Sequence, residues 1–405
     1  METTVDLAKE LIKFNTENPP ADTRAISKFI GNLLENKSIK YKLLNNKKSV
    51  YLISEIGQGT KNIVLYAHSD VVVAGDIKKW SSNPYLPKIK SGRLYGRGSS
   101  DMKGALAASI SAFIELSERK NELKGKLQLL ICPEEEDYDS TKPLSKIIKR
   151  TNATACIMGE PHFDDIIIGE KGEIDVKLKV FGSSSHGSTP ASGIDANVIL
   201  DKFIHELKDE IIHLNKKINV RKEFRNFLKF STIAISDEFA LKGKQRENFI
   251  SSNPAGNITI NVGYYKSGRN FNIVPDEAEA HMIIMVPYGI DYTSITSFIS
   301  NNSRKYGNKI KIVQMEGNNA TLTDKSEKLV SSISNAYKFI KKKDPKLVFD
   351  TGSTDAVFYR KLNVPTVLYG PGYFFNAHTY NEYVSIKELK LSKEIYKKAV
   401  LNYLS

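Results

Sequence analysis

Cysteine is nearly absent from this chain: only Cys132 and Cys156 occur among its 405 residues. A disulfide scaffold is therefore excluded. Both cysteines lie in apolar runs that predict strands, where a reduced thiol behaves as a small hydrophobe. Long hydrophobic runs are also missing, and none approaches the ~20 residues that a membrane-spanning helix needs. The first residues lack the basic start and apolar stretch of a secretion signal, so we expect a cytoplasmic protein with no membrane partner.

Internal repeats and low-complexity tracts are missing too, and the content of 40% hydrophobic and 26% charged residues is typical of a globular protein. The net charge of +13 comes from 59 basic and 46 acidic residues. Such a charge could indicate a nucleic-acid partner, but the lysines are spread along the chain instead of forming a patch. We therefore expect no nucleic acid, and a surface that favours anionic small substrates.

Four apolar runs each lead into residues whose side chains bind metals. They are 62–67 before His68, 126–132 before Glu134, Glu135 and Glu136, 153–158 before Glu160, and 364–369 before His378. Short runs with little alternation predict strands buried on both faces, as in parallel sheets. In open α/β sheets, functional groups collect beyond the carboxyl ends of such strands. Each motif alone has an ordinary structural explanation, but together they indicate one metal site at a common rim.

The order of the predicted elements changes at about residue 172. Before it, helices at 5–14, 25–34 and 103–116 alternate with strands. After it, the order becomes strand, helix, strand, strand, helix, strand. That order predicts a ferredoxin-like α+β sandwich.

A chain of 405 residues exceeds what one hydrophobic core normally holds, so we expect two domains. We predict that 1–172 and 316–405 form an α/β domain with a mixed, mostly parallel sheet flanked by helices. The predicted ferredoxin-like domain, 173–315, would then be an insertion. Within it, segment 216–254 is longer than the element order needs, and the sequence assigns it no role.

Several motifs, in chain order, resemble those of one enzyme family. They are His68-Ser69-Asp70, Trp80, Tyr95 to Gly104, the acid cluster 134–136, Gly159-Glu160-Pro161, Gly182 to His186 with Pro190, and Asn272 to Asp276. Together they resemble the co-catalytic, two-zinc deacylases and exopeptidases. That family includes acetylornithine deacetylase, succinyl-diaminopimelate desuccinylase, aminoacylase and the glutamate-releasing carboxypeptidase. The resemblance runs nearly end to end and implies an α/β fold of the zinc-exopeptidase type.

The resemblance implies two divalent metal ions, zinc first, with cobalt or manganese tolerated. It makes His68 and Glu160 ligands of one metal, Glu136 and His378 ligands of the other, and Asp101 the bridge. Charge balance supports this set, because three carboxylates and a bridging hydroxide match two divalent cations. Without metals the carboxylates would repel one another. In the family the peptide bond after the bridging Asp is often cis, so the bond after Asp101 could be cis here.

Asp70 is expected to orient the ring of His68 and raise its basicity, with a helix cap as the alternative. The resemblance also suggests a register for the acid cluster, with Glu135 as general base and Glu136 as ligand. A rival register makes Glu134 the base and Glu135 the ligand. Either base would take a proton from a metal-bridged water and pass it to the leaving amine.

His186 lies in the predicted insertion and is not expected to bind the metals. In the family, the corresponding His reaches across a dimer interface and stabilises the oxyanion of the tetrahedral intermediate. The resemblance therefore implies a homodimer that forms through the inserted domain. The remaining histidines are expected to be surface or packing residues: His162, His205, His213 and His281.

Two departures from the family pattern concern the substrate. Members that grip an acidic substrate commonly have Arg where this chain has Met285, and the desuccinylases have Arg where it has Glu170. Neither residue replaces a guanidinium that binds carboxylate through two hydrogen bonds. Arg269, near Asn272, could compensate, although a turn residue explains it equally well. Asn272 and Arg269 are thus the candidate substrate contacts, and a succinylated substrate is disfavoured.

The sequence therefore predicts a metal-dependent amidohydrolase of amino-acid metabolism. It would cleave the amide bond of a small N-acyl amino acid, as acetylornithine deacetylase and succinyl-diaminopimelate desuccinylase do. A dipeptidase or carboxypeptidase of the same family is the first alternative, because the catalytic residues do not separate these activities. A non-catalytic binding module is the second, and loss of a ligand or the base would favour it. No ligand and no base is missing from the sequence.

Overall fold

The computed structural model describes residues 3–46, 48–136 and 143–405. Its α-helices are α1 Thr4–Ile12, α2 Arg24–Glu35, α3 Lys103–Ser117, α4 Leu144–Thr151, α5 Ala196–Lys217, α6 Lys222–Glu238, α7 Gly243–Ser252, α8 Tyr292–Arg304, α9 Lys328–Lys341, α10 Ala356–Arg360 and α11 Ile386–Leu404. Its strands are β1 Glu17–Asn18, β2 Tyr41–Asn46, β3 Ser49–Gly57, β4 Asn62–His68, β5 Val71–Val72, β6 Lys88–Lys90, β7 Arg93–Tyr95, β8 Lys126–Cys132, β9 Ala155–Met158, β10 Asp165–Glu170, β11 Gly172–Phe181, β12 Thr259–Ser267, β13 Glu277–Val286, β14 Ile310–Gly317, β15 Thr321–Leu322, β16 Lys346–Asp350, β17 Thr366–Leu368 and β18 Tyr383–Ser385.

The largest sheet has nine strands in the order β15-β10-β17-β9-β4-β8-β3-β2, with β16 paired to the side of β10. At its centre, β17, β9, β4 and β8 run parallel to one another. These are the four strands that the apolar runs predicted, so the prediction that they share one sheet is confirmed. Antiparallel strands complete the sheet on both sides, which makes it mixed.

Helices cover both faces of this sheet, and alternate residues of the central strands enter two different cores. Along β4, Ile63, Leu65 and Ala67 pack with α1, α3, α9 and α11. Val64 and Tyr66 point the other way and pack with α4, α6 and α10. Burial on both faces explains the uninterrupted apolar runs in the sequence. The predicted α/β fold class is confirmed.

A second sheet has four antiparallel strands in the order β12-β13-β11-β14. Helices α5 and α8 pack on it around a separate apolar core. The element order β11-α5-β12-β13-α8-β14 reproduces the predicted order, apart from two helices within segment 216–254. These additional helices are α6 and α7, and α6 packs on the large sheet against β16. Within the described part of the chain, none of the helices has the length and apolar character needed to cross a membrane.

Gly370 lies where β17 ends beside β9, and the backbones approach closely there. A Cβ atom at this position would collide with the oxygen of Gly159 and lie 2.6 Å from that of Glu160. We predict that Gly370→Ala lowers the free energy of unfolding by ~1–3 kcal/mol, because the strand ends must separate. Denaturant unfolding measures this. Gly263→Ala is the control, since its added Cβ would meet one side-chain atom at 3.7 Å; equal effects would contradict the account.

Candidate metal centre

The carboxyl ends of the parallel strands bring the predicted metal-binding residues together. His68 ends β4, Glu136 follows β8, and Asp101 lies just before α3. The ligand atoms of these three residues lie within 4.8 Å of one another. His378 joins them, because its Nε2 is 3.1 Å from Oε2 of Glu136 and 3.3 Å from Oδ2 of Asp101. Glu160, which follows β9, is buried beside the cluster and interacts electrostatically with Asp101.

Asp101 occupies the centre of this arrangement. Its Oδ1 lies 3.1 Å from Nε2 of His68, while its Oδ2 faces His378 at 3.3 Å. Each carboxylate oxygen thus faces a different histidine. The Asp101–Met102 peptide bond is cis, as the family resemblance suggested.

Asp70 connects His68 to the acid cluster from a fully buried position. Nδ1 of His68 lies 3.0 Å from the backbone oxygen of Asp70 and 3.5 Å from its Oδ1. The Asp70 carboxylate also accepts hydrogen bonds from the backbone N–H groups of Glu135, at 3.1 Å, and Glu136, at 3.0 Å. The helix-cap alternative is wrong, because β5 follows Asp70 instead of a helix. Asp70 therefore fixes both the imidazole and the acid loop.

The three acids of the cluster point to different surroundings. Glu134 accepts a hydrogen bond from the hydroxyl of Tyr51 at 3.2 Å, whereas Glu136 faces His378. The charge of Glu135 contributes to raising the pKa of both His68 and Glu160.

The electrostatics of the cluster fit a divalent cation. Burial and repulsion from Asp101 raise the pKa of Glu136 and of Glu160. Burial is the largest single cause and would lower the pKa of His68 and His378. The hydrogen bonds and charges of the surrounding carboxylates together outweigh it and raise both pKa values, to about 11 for His378. The Oε1 atoms of Glu136 and Glu160 are buried and have no hydrogen-bond partner among the described residues. Unpaired oxygens among crowded carboxylates and imidazoles are the ligands that such an ion would take.

The remaining predicted site residues lie in loops of the four-stranded sheet. Nδ1 of His186 is 2.7 Å from Oγ of Ser188. The backbone N–H of Gly187 donates a hydrogen bond to the backbone oxygen of Asn272 at 2.7 Å. Arg269 is 3.3 Å from Asp276, with 70% of its side chain exposed. The loop contacts thus place His186 beside Asn272, and the turn explanation of Arg269 matches its contact with Asp276.

The chain matches the model of peptidase family M20/M25/M40 over residues 64–402. It belongs to this family. The protein is therefore a hydrolase that acts on amide or peptide bonds, as the sequence predicted.

Relatives of this M20 hydrolase cover almost its whole length. A probable succinyl-diaminopimelate desuccinylase of Staphylococcus aureus (strain N315) is 28% identical, over 99% of this chain and 97% of the relative. An M20-family metallo-carboxypeptidase from Sulfolobus solfataricus has a TM-score of 0.84 at 21% identity, with 100% of both chains covered. A dipeptidase from Saccharomyces cerevisiae has a TM-score of 0.79 at 16% identity, with 99% and 95% covered. These solved structures share the fold.

Sequence reasoning missed Glu382, which holds the loop that carries Asp101. Its fully buried carboxylate accepts hydrogen bonds from the N–H groups of Asp101, at 3.0 Å, and Ser100, at 2.7 Å. It also accepts from the N–H of Gly98 and pairs with Arg97 at 2.6 Å. Its only signal in the sequence is an acid four residues after His378. The Gly-rich motif therefore folds around a carboxylate supplied from the far end of the chain.

We predict that Glu382→Ala lowers the free energy of unfolding by ~3–5 kcal/mol, because it leaves the Arg97 guanidinium buried and unpaired. Denaturant unfolding of the metal-free M20 hydrolase measures this without any contribution from bound ions. The matched control is Glu122→Ala, which breaks the exposed pair with Arg119 and is expected to leave stability nearly unchanged. Equal stability of Glu382→Ala and the unmodified protein would contradict the structural role of this carboxylate.

Proposed function

We propose that the protein is a two-metal deacylase that cleaves the amide bond of a small N-acyl amino acid, in the manner of acetylornithine deacetylase and succinyl-diaminopimelate desuccinylase. The position of Asp101 between His68 and His378, with Glu136 alongside, carries the proposal. A dipeptidase or carboxypeptidase with the same centre is the alternative activity. A non-catalytic module is disfavoured, since the proposed ligands and base are all present.

In this proposal His68 and Glu160 hold one metal, Glu136 and His378 hold the other, and Asp101 bridges them. Mixed imidazole and carboxylate ligands suit zinc, and the same set accepts cobalt or manganese. The three carboxylates supply the negative charge that two divalent cations require. Glu136 and Glu160 each have a buried oxygen without a partner in the part of the chain that the structure describes, which supports their assignment as ligands.

Glu135 is the proposed general base. Bound divalent cations would lower the pKa of water and polarise the scissile carbonyl. Glu135 would take the proton of the attacking water and deliver it to the leaving amine. Its backbone N–H is held by Asp70, which supports a fixed position beside the cluster. The contact of Glu134 with Tyr51 disfavours the rival register.

We also propose that two copies of the chain pair through the domain 173–315, so that His186 of one copy stabilises the oxyanion in the other. The edge strand β12 supports this pairing, since Tyr264 and Tyr265 expose 47% and 45% of their surface. Val198 on α5 is 64% exposed. An edge strand with exposed apolar side chains is a template for pairing with a second copy. Asn272, beside His186, would contact the substrate.

A succinylated substrate is not part of the proposal. Glu170 is buried in an ion pair with Arg360 at 2.5 Å, and Met285 lies within β13. Arg269 already contacts Asp276, so it is a weak candidate for a substrate carboxylate. We further propose a cytoplasmic location, which fits the finding that Cys132 and Cys156, both buried in the described part of the chain, are not joined by a disulfide.

Hydrolysis assays test the proposed activity and the register together. Metal-stripped protein should not hydrolyse N-acetylornithine, other N-acetyl amino acids or dipeptides, and added zinc or cobalt should restore turnover of the preferred class. We predict that Glu135→Gln lowers kcat by at least ~10²-fold while still binding metal, because only the proton carrier is lost. Glu134→Gln is the matched control and should keep most activity. No turnover by metal-loaded protein, or the reverse order of the two variants, would contradict the proposal.

Complementation tests the role of His186. Dimers of His186→Ala and of Glu135→Gln should both be nearly inactive, but co-expression yields mixed dimers with one intact site. If the histidine comes from the second copy, random mixing should restore about a quarter of the unmodified activity, since half of the dimers then hold one working site. Two affinity tags isolate the mixed dimer. A mixed dimer without activity, or a chain that stays monomeric, would contradict this arrangement.

A further inference from the structure

Helix α6 belongs to segment 216–254, which the sequence assigned no role, and it packs against β16 at one side of the large sheet. The chain leaves the four-stranded sheet after α5 and returns to it at β12. Helix α6 lies between these two points of the chain. Oγ of its Ser231 accepts a hydrogen bond from the backbone N–H of Phe349 in β16, at 2.9 Å. Leu228 packs against the same phenylalanine. The helix therefore docks on the sheet that carries the metal centre.

The C-terminal end of α6 contacts the turn that precedes His378. Oε1 of Glu238 accepts a hydrogen bond from the backbone N–H of Phe374 at 2.8 Å. The ring of Phe239 lies 6.1 Å from that of Phe374 and 6.4 Å from that of Phe375. This turn ends at Asn376, two residues before His378. A shift of the turn would therefore move the imidazole.

His162 extends the same contact to the loop of Glu160. Its ring stacks on Phe374, with centroids 5.9 Å apart, and its Nδ1 lies 3.6 Å from Oε2 of Glu238. Its backbone N–H donates to the oxygen of Glu160 at 2.8 Å. The Glu238 side chain is only 7% exposed, so water does not easily replace these contacts. One helix end thus touches the loops of two proposed ligands of different metals.

We propose that Glu238 is a positioning residue of the metal centre, which it serves by holding the turn before His378 through the N–H of Phe374. The inference rests on the proposed function, because it needs the cluster to bind metals. Residues that orient metal ligands without touching the ion commonly change affinity when removed. Helix α6 would then support catalysis although it contributes no metal ligand.

Titration of metal-free protein with Co²⁺ tests this proposal without an activity assay. Glu238→Ala should weaken binding at one or both sites by ~10-fold or more and change the visible absorption of bound cobalt. Glu238→Gln should stay close to the unmodified affinity, because its amide oxygen still accepts from Phe374. Asp237→Asn is the matched control. Asp237 precedes Glu238 in the chain, but its side chain is 48% exposed and pairs with Arg246 on the surface.

Thermal unfolding of the metal-free variants shows whether each variant is as stable as the unmodified protein, so that a loss of cobalt affinity can be distinguished from a loss of stability. Unchanged cobalt affinity and spectrum in Glu238→Ala would overturn the inference, and so would an equal loss in Asp237→Asn or in Glu238→Gln. If Glu238→Ala does not fold, Glu238→Met replaces it, because Met fills a similar volume but offers no oxygen to the N–H of Phe374. A loss of cobalt affinity is expected, and an unchanged affinity would overturn the inference. Failure of the unmodified protein to bind Co²⁺ would instead refute the proposed function, and with it this inference.

Discussion

The structure depends on the crowding of three carboxylates: Glu136 and Glu160, which follow buried strands, and Asp101, which lies just before α3. Removing charges from water is costly unless opposite charges or hydrogen bonds compensate. Two histidines, His68 and His378, face these carboxylates, while burial and the charge of Asp101 raise the pKa of Glu136 and Glu160. Two further buried carboxylates, Asp70 and Glu382, accept backbone N–H groups and hold the loops in place. Divalent cations are the counter-charge that such an arrangement requires.

The sequence was most informative where one physical rule determines the outcome. Strands buried on both faces must be apolar throughout, so the four central strands were predicted correctly. Local periodicity also located α1, α2 and α3, which pack on the large sheet. The spacing of Phe224, Phe227 and Leu228 favours a helix as well, yet periodicity does not tell which sheet that helix will pack against.

Contacts between distant segments limited the prediction of the site. Glu382 binds a loop 281 residues away at Asp101, and no spacing rule connects the two. The register of the acid cluster was open in the sequence, and the contacts of Asp70 and Tyr51 now favour one choice. Substrate identity remains outside such reasoning, because deacylases and exopeptidases share the catalytic residues and differ in what fills the pocket. The desuccinylase-named relative and the carboxypeptidase neighbour illustrate this within one fold.

We propose that the carboxylate of Asp101 lies between two metal ions. Anomalous diffraction from crystals of the zinc-loaded protein, collected on both sides of the zinc absorption edge, tests it most directly. The account predicts two peaks, one between His68 and Glu160 and one between Glu136 and His378, with an oxygen of Asp101 directed at each. A single peak, or peaks remote from Asp101, would contradict it.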